Sequence, residues 1–236
     1  MPLLPDRLVL NFHGLGEPER QISDSERRYW LAASVFAETL AVAAELEHEL
    51  GIRLAFTFDD GNISDIRIAA PLLLQHGRPA TFFVLADRIG TEGSLAIGDL
   101  RDLAAAGFAI GSHGAAHVPW TKVAGRDLHR EIVEARERIA AAAGAGIASA
   151  SAPFGLFDRP VVAAVRAAGF ARLMTSSGGL AVADDGLVPR VSVKAGFDPR
   201  PDIAALAWHG LRIRSALRDR ARRWRYAGRW TSSTAR

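Results

Sequence analysis

The sequence predicts a parallel α/β fold, either a barrel or a doubly wound sheet, on three observations. Short apolar runs punctuated by Gly or Pro alternate with helix-length segments from residue 8 to residue 193. A glycine stands where each helical segment needs a C-terminal stop. Polar residues of chemical interest follow the strand runs, where parallel α/β folds gather their reactive groups.

Taken in order, Leu8–Phe12 is the first strand. Its alternation puts Leu8, Leu10 and Phe12 on one side, and Asn11 and the following His13 on the other. Ser34–Leu50 is a helix stopped by Gly51, and Arg53–Phe58 is a strand running into Asp59-Asp60-Gly61. Ile66–His76, stopped by Gly77, leads to the strand Ala80–Leu85. Ser94–Ala106, stopped by Gly107, leads to Phe108–Gly111 and then to Ser112-His113-Gly114-Ala115-Ala116-His117. Asp127–Ala143, stopped by Gly144, leads to the strand Ala148–Ala152 and to Pro153-Phe154-Gly155. Pro160–Ala168, with Gly169, separates this from the last two strands, Ala171–Thr175 and Val188–Val193.

A chain of 236 residues, 49% apolar and 23% charged, suits one sizeable core with an appendage. The division falls at residue 200, with a domain over 1–200 and a tail over 201–236. The tail holds nine Arg and no Lys against two acidic residues, +7, whereas residues 1–200 hold 20 basic and 24 acidic residues, −4. Nucleic-acid binding by the body is therefore not expected. Ile203–Arg225 alternates apolar residues with arginines as a basic amphipathic helix would, lying on an anionic membrane surface or packed on the domain. The absence of cysteine removes disulfides and thiolate ligands. The start lacks a basic secretory leader, and no apolar run reaches the roughly 18–20 residues of a bilayer span. A cytosolic protein, with peripheral contact at the inner membrane face through the tail, is the expectation.

Asp-Gly alone is ordinary turn chemistry, and two loop histidines alone are ordinary polar residues. Together they supply one carboxylate and two imidazoles, a facial ligand set for a divalent metal, with the other carboxylate beside it to accept a proton from water. Both carboxylates converge only if the chain bends, which Gly61 permits. His113 and His117 share a face if they form one helical turn. Gly114 stands where a zinc-protease helix carries Glu, so that chemistry is disfavoured.

These residues carry a family resemblance. Thr57-Phe58-Asp59-Asp60-Gly61 and Ser112–His117 resemble the first two motifs of the polysaccharide deacetylases, the NodB-like carbohydrate esterase family 4. Ala80-Thr81-Phe82-Phe83-Val84, Ala152-Pro153-Phe154-Gly155 and Gly169-Phe170 are similar to later motifs, so the likeness runs from about residue 5 to 195. It implies a distorted (β/α) barrel of about seven strands that hydrolyses N-acetyl groups from amino-sugar glycans. By it, Asp59 is the general base, and Asp60, His113 and His117 hold the metal. Zinc comes first for that site, with cobalt, manganese, iron or nickel also suited. Phe154 and Gly155 fall at the substrate.

The sequence departs from the pattern in two places. The family's third motif often opens with an arginine that pairs with the base, but Ser151 stands here. Arg190, in Val188-Pro189-Arg190-Val191, is the candidate substitute and is grouped with the substrate contacts; a surface arginine is its plain reading. The late Leu-x-His motif has no clear match. His13 resembles the N-terminal imidazole of a circularly permuted branch, with His209 as competitor. Trp120 has two readings, a platform for a sugar ring or a core residue. Competing functions are deacetylation or deformylation of a lipid-linked sugar, an inactive carbohydrate-binding relative, and an iron oxygenase.

Overall fold

The computed structural model describes residues 5–182 and 185–211. Its first elements are β1 (Arg7–Phe12), β2 (Gly14–Leu15), α1 (Asp24–Arg27), β3 (Trp30–Leu31), α2 (Ala33–Leu50) and β4 (Arg53–Phe58). Then come α3 (Ala70–Gln75), β5 (Ala80–Val84), α4 (Ile97–Ala105), β6 (Ala109–Ser112), α5 (Gly125–His129) and α6 (Ala135–Ala143). The last are β7 (Ser149–Ser151), α7 (Arg159–Ala167), β8 (Arg172–Thr175), β9 (Leu187–Pro189), β10 (Val191–Ser192) and α8 (Pro199–Leu211).

Eight strands form one parallel sheet in the order β10-β1-β4-β5-β6-β7-β8-β9. Its two ends are consecutive in the chain, because only Arg190 separates β9 from β10. Leu187 pairs with Leu173 of β8, and Val191 pairs with Leu10 of β1. At the hand-over the Arg190 N–H donates to the Thr175 carbonyl at 2.9 Å, and its own carbonyl accepts from Gly178 at 3.0 Å. The expected seventh strand, Val188–Val193, thus changes partner midway and nearly closes a distorted (β/α) barrel.

Period-two burial divides the apolar residues into two layers. Outside the barrel, Phe12, Phe58 and Phe82 lie in register on adjacent strands, with ring centroids 5.5 and 4.8 Å apart. Phe36 of α2 meets Phe12 and Phe58 edge-on, at 4.9 and 5.5 Å. Such pairs contribute about 0.5–1.5 kcal/mol each beyond burial. Inside, Val9, Phe83, Met174, Ala181 and Val188 fill the lower lumen. Gly111 makes room for the Phe83 ring, which a Cβ there would meet at 2.4 Å. With Phe58 committed outward, Asp59 turns into the lumen, and a one-residue slip would expel it.

The five glycines read as helix stops all adopt positive φ, from 61° to 89°. Two expected helices contain a wider π-type turn: Asp65–Ala69 leads into α3, and Arg130–Glu134 joins α5 to α6. Residues 14–32, for which no element was expected, form the two-stranded pairing of β2 with β3 and the short α1. The helix α8 packs on α2 with Ile203 and Ala207 buried and Arg200 paired to Glu45. Most of the expected basic helix, from residue 212 onward, lies outside the described residues, and so does its expected membrane contact. Among the described residues no helix is long and apolar enough to cross a membrane.

Candidate active site

The carboxyl ends of β1, β4, β6, β7 and β9 open into a cleft of about 750 Å3 lined by His13, Asp59, Asp60, His113, His117, Phe154, Gly155 and Arg190. Eight of the nine residues singled out above therefore meet in one place. The ninth, Trp120, is 1% exposed and belongs to the core, so its reading as a sugar platform is corrected. The Pro119-Trp120 segment turns the indole inward beneath the histidine loop, 3.0 Å from where a Cβ on Gly114 would stand.

At the bottom of the cleft a polar layer replaces the apolar lumen. Arg190 is fully buried and grips Asp59 with both arms, Nη1 to Oδ1 at 2.8 Å and Nη2 to Oδ2 at 2.7 Å. Its guanidinium rests 5.2 Å above the Phe83 ring and also donates to Ser151 Oγ at 2.7 Å. The small Ser151 leaves the space that an arginine in the third motif would fill, and Arg190 enters it from β9. The plain reading of Arg190 as a surface residue is overturned, and its grouping with substrate contacts gives way to a place beneath Asp59.

Asn11 completes this layer. Its amide donates to Asp59 Oδ2 at 3.0 Å, while its oxygen accepts from Thr57 at 2.8 Å and Arg190 at 2.7 Å. Burial pushes the Asp59 carboxyl up, but the Arg190 charge and hydrogen bond, helped by His113 and His13, hold it well below the usual carboxylate range. Asp59 is thus a buried carboxylate that stays ionised.

Asp60 would point away by strand alternation. The expected bend occurs at Asp60 itself, φ 77°, and continues at Gly61, φ 65°, which returns the second carboxylate to the cleft. His117 and Phe154 are the other non-glycine residues at positive φ among those described, at 56° and 59°. All three line the cleft. The histidine segment is a loop and not the expected helical turn. Glu131, buried in the π-type turn, holds it by accepting from Ala115 N at 2.8 Å and Ala116 N at 3.2 Å.

Asp60 Oδ1 is buried without a hydrogen-bond partner, 3.6 Å from His113 Nε2 and 3.6 Å from His117 Nε2. His113 Nδ1 lies 2.9 Å from the Ser151 carbonyl. A carbonyl only accepts, so Nδ1 carries the proton and Nε2 presents its lone pair. Burial lowers the His113 imidazole to about 4 despite the Asp59 carboxylate, which keeps it neutral. Burial also pushes the Asp60 carboxyl up, but His13, His113 and His117 outweigh it and leave the group ionised. Donors around a tetrahedral zinc stand about 3.3–3.6 Å apart. One orphaned carboxylate oxygen and two imidazole nitrogens, all within 4.8 Å of one another, therefore fit a divalent cation.

His13 packs at a tilt on Tyr29, with ring centroids 4.8 Å apart, and its Nδ1 is buried without a partner among the described residues. Its competitor His209 lies on α8, bonded to the Ala205 carbonyl and outside the cleft. Phe154, 58% exposed, packs at a tilt on His117, with ring centroids 4.5 Å apart. Gly155 closes that corner: its φ is 67°, and a Cβ there would meet the Ser176 backbone nitrogen at 2.8 Å. Tyr29, Arg88, Glu131 and the anchoring role of Asn11 escaped the sequence reading. Only Asn11 carried a signal, because it alternates with His13 on β1.

The profile of the polysaccharide deacetylase family matches residues 50–173. YxkH of Bacillus subtilis (strain 168), a provisionally named polysaccharide deacetylase, is 25% identical over 143 residues, 60% of this chain and 51% of that protein. The chain thus spans about half the length of this curated relative. Among solved structures, the Streptococcus pyogenes deacetylase PplD in complex with acetate superposes with a TM-score of 0.71 at 15% identity, over 84% of this chain and 97% of that one. IcaB from Ammonifex degensii superposes with a TM-score of 0.69 at 21% identity, over 87% and 98%. At such identities these two likenesses concern the fold alone.

Proposed function

This chain belongs to the polysaccharide deacetylase family, and we propose that it is a metal-dependent hydrolase removing N-acetyl groups from an acetylated glycan. The observation that carries this reading is the orphaned Asp60 oxygen between two imidazole nitrogens, beside a second carboxylate held ionised. A binding module has no use for that second carboxylate. Asp60, His113 and His117 would hold the cation, with zinc the first choice for an N,N,O set. When bound, the cation supplies Lewis acidity, which polarises the amide carbonyl and makes water more acidic.

The chain's own groups do the rest. Asp59 accepts the proton of the attacking water, oriented for this by Arg190 and Asn11. The four donors that keep Asp59 ionised hold it in the charged form that can take a proton, and they also make it a weak base. His13, in its protonated form, donates to the departing amine from the end of the neighbouring strand. Phe154 and Gly155 border the space left for the sugar.

The test is acetate release from N-acetylglucosamine oligomers, together with metal content by elemental analysis. Asp60→Asn and His113→Ala should lose both metal and activity. Asp59→Asn should keep its metal and lose about 10²–10⁴ in rate, the usual worth of a general base. Full activity in Asp59→Asn would remove the assigned base, and metal-free protein that still releases acetate would remove the cation.

A further inference from the structure

Two cations of the cleft, Arg28 and Lys194, face no carboxylate among the described residues. The acids of the cleft already have their cations within the fold: Glu26 has Arg20, Asp59 has Arg190 at 2.7 Å, and Asp60 has the nearby charge of Arg88. Arg28 and Lys194 line the same cleft, and neither forms an ion pair among the described residues. Arg88, the third, donates to Asn62 Oδ1 at 3.0 Å and faces Asp60 and Asp65.

Arg28 and Lys194 stand together at the lip. The Lys194 ammonium lies 5.4 Å from the centroid of the Tyr29 ring. The Ala195 N–H donates to the Arg28 carbonyl at 2.8 Å, which ties the two loops. Tyr29 in turn packs on His13 at 4.8 Å, so the pair stands one ring away from the imidazole assigned to the leaving amine. Residues 1–200 carry −4 overall, so this positive lip runs against the charge of the body. Unpaired cations in a concave site concentrate anions, and a guanidinium fork and an ammonium each match phosphate or carboxylate oxygens.

The geometry points to an anion subsite formed by Arg28 and Lys194, which selects acetylated glycans bearing a phosphate or carboxylate next to the acetamido sugar. It rests on the deacetylase reading of the same cleft and makes the substrate acidic, not a neutral polymer.

Calorimetric titration of the full zinc-loaded chain tests this with three probes: N-acetylglucosamine, its 1-phosphate, and its disaccharide with glucuronate. At low salt an acidic probe should bind roughly tenfold more tightly than the neutral sugar, as two partly exposed charge contacts allow. The advantage should shrink as salt rises. It should vanish in Arg28→Gln/Lys194→Gln, whose two positions are exposed, with neutral-sugar binding unchanged. The acidic probe that shows the advantage identifies the group. A double variant that keeps the preference places the anion elsewhere and overturns the subsite. Acetate release, followed in parallel, separates the two readings. Preference lost in the variant with no acetate from any probe removes deacetylation and keeps the subsite. Acetate released with equal KM from neutral and acidic probes in both proteins removes the subsite and keeps deacetylation.

Discussion

Arg190 and Asp59 show how one residue pair sets the acidity of the site. A buried carboxylate alone would hold its proton; the bidentate guanidinium reverses that preference. Arg190→Met should destabilise the fold by about 3–5 kcal/mol, because it strands a buried charge. It should also let burial raise the Asp59 carboxyl, moving the acid limb of the rate profile to higher pH. An acid limb that stays in place would show that Asp59 ionisation does not govern activity. Asp65 is the opposite case. It is fully buried, neither carboxylate oxygen has a partner, and burial, with Asp60 and Asp59 nearby, raises its carboxyl well above the ordinary range. Above that range the unfolded chain has lost this proton while the folded chain keeps it. Stability therefore falls as pH rises, until Asp65 ionises in the fold. Asp65→Asn should remove this slope and stabilise the metal-free protein at neutral pH. Urea unfolding at pH 5 and pH 8 checks it, and equal slopes for variant and wild type would contradict the assignment.

Elements place these residues, and the elements differ in how plainly the sequence announces them. The strands were legible because their outward residues, such as Phe12, Phe58 and Phe82, alternate with inward ones, and the five glycine stops bounded the helices. The two π-type turns were not legible, since a wider turn leaves no mark in apolar periodicity. One of them carries Glu131, whose partners are backbone N–H groups fifteen and sixteen residues earlier, a relation no local pattern encodes. Arg190 was legible as a candidate charge, but its burial was not. That burial depends on a strand that swaps partners at this very residue. For Glu131→Gln, the amide nitrogen cannot accept, so the histidine loop loses part of its anchor. Zinc affinity should fall about 10–100-fold with the fold retained, the usual cost of losing an outer support of a metal ligand. Glu134→Gln, half-exposed on the same turn, serves as the neutral control. An unchanged zinc Kd in Glu131→Gln would mean that the loop holds its shape without the clamp.

At the scale of the whole molecule, the barrel's own contacts hold the candidate donor set together. Asp60 is fixed by the end of β4, His113 by the Ser151 carbonyl of β7 and the loop by Glu131, each through contacts within the protein. This differs from a small metal-folded domain, whose core cannot form without its ion. Here a continuous apolar layer surrounds the barrel and a second fills its lower lumen. Chelation should therefore abolish acetate release while leaving the far-UV circular dichroism at 25 °C unchanged. Returning zinc should stabilise the folded state through mass action, by about 2.7 kcal/mol at one hundred times Kd. For a domain of this size that is a rise of roughly 5–10 °C in Tm. A chelated chain that loses its helical signal would mean that the ion helps to build the barrel. A Tm indifferent to zinc would mean that Asp60, His113 and His117 converge without forming a site, and the deacetylase reading would lose its cation.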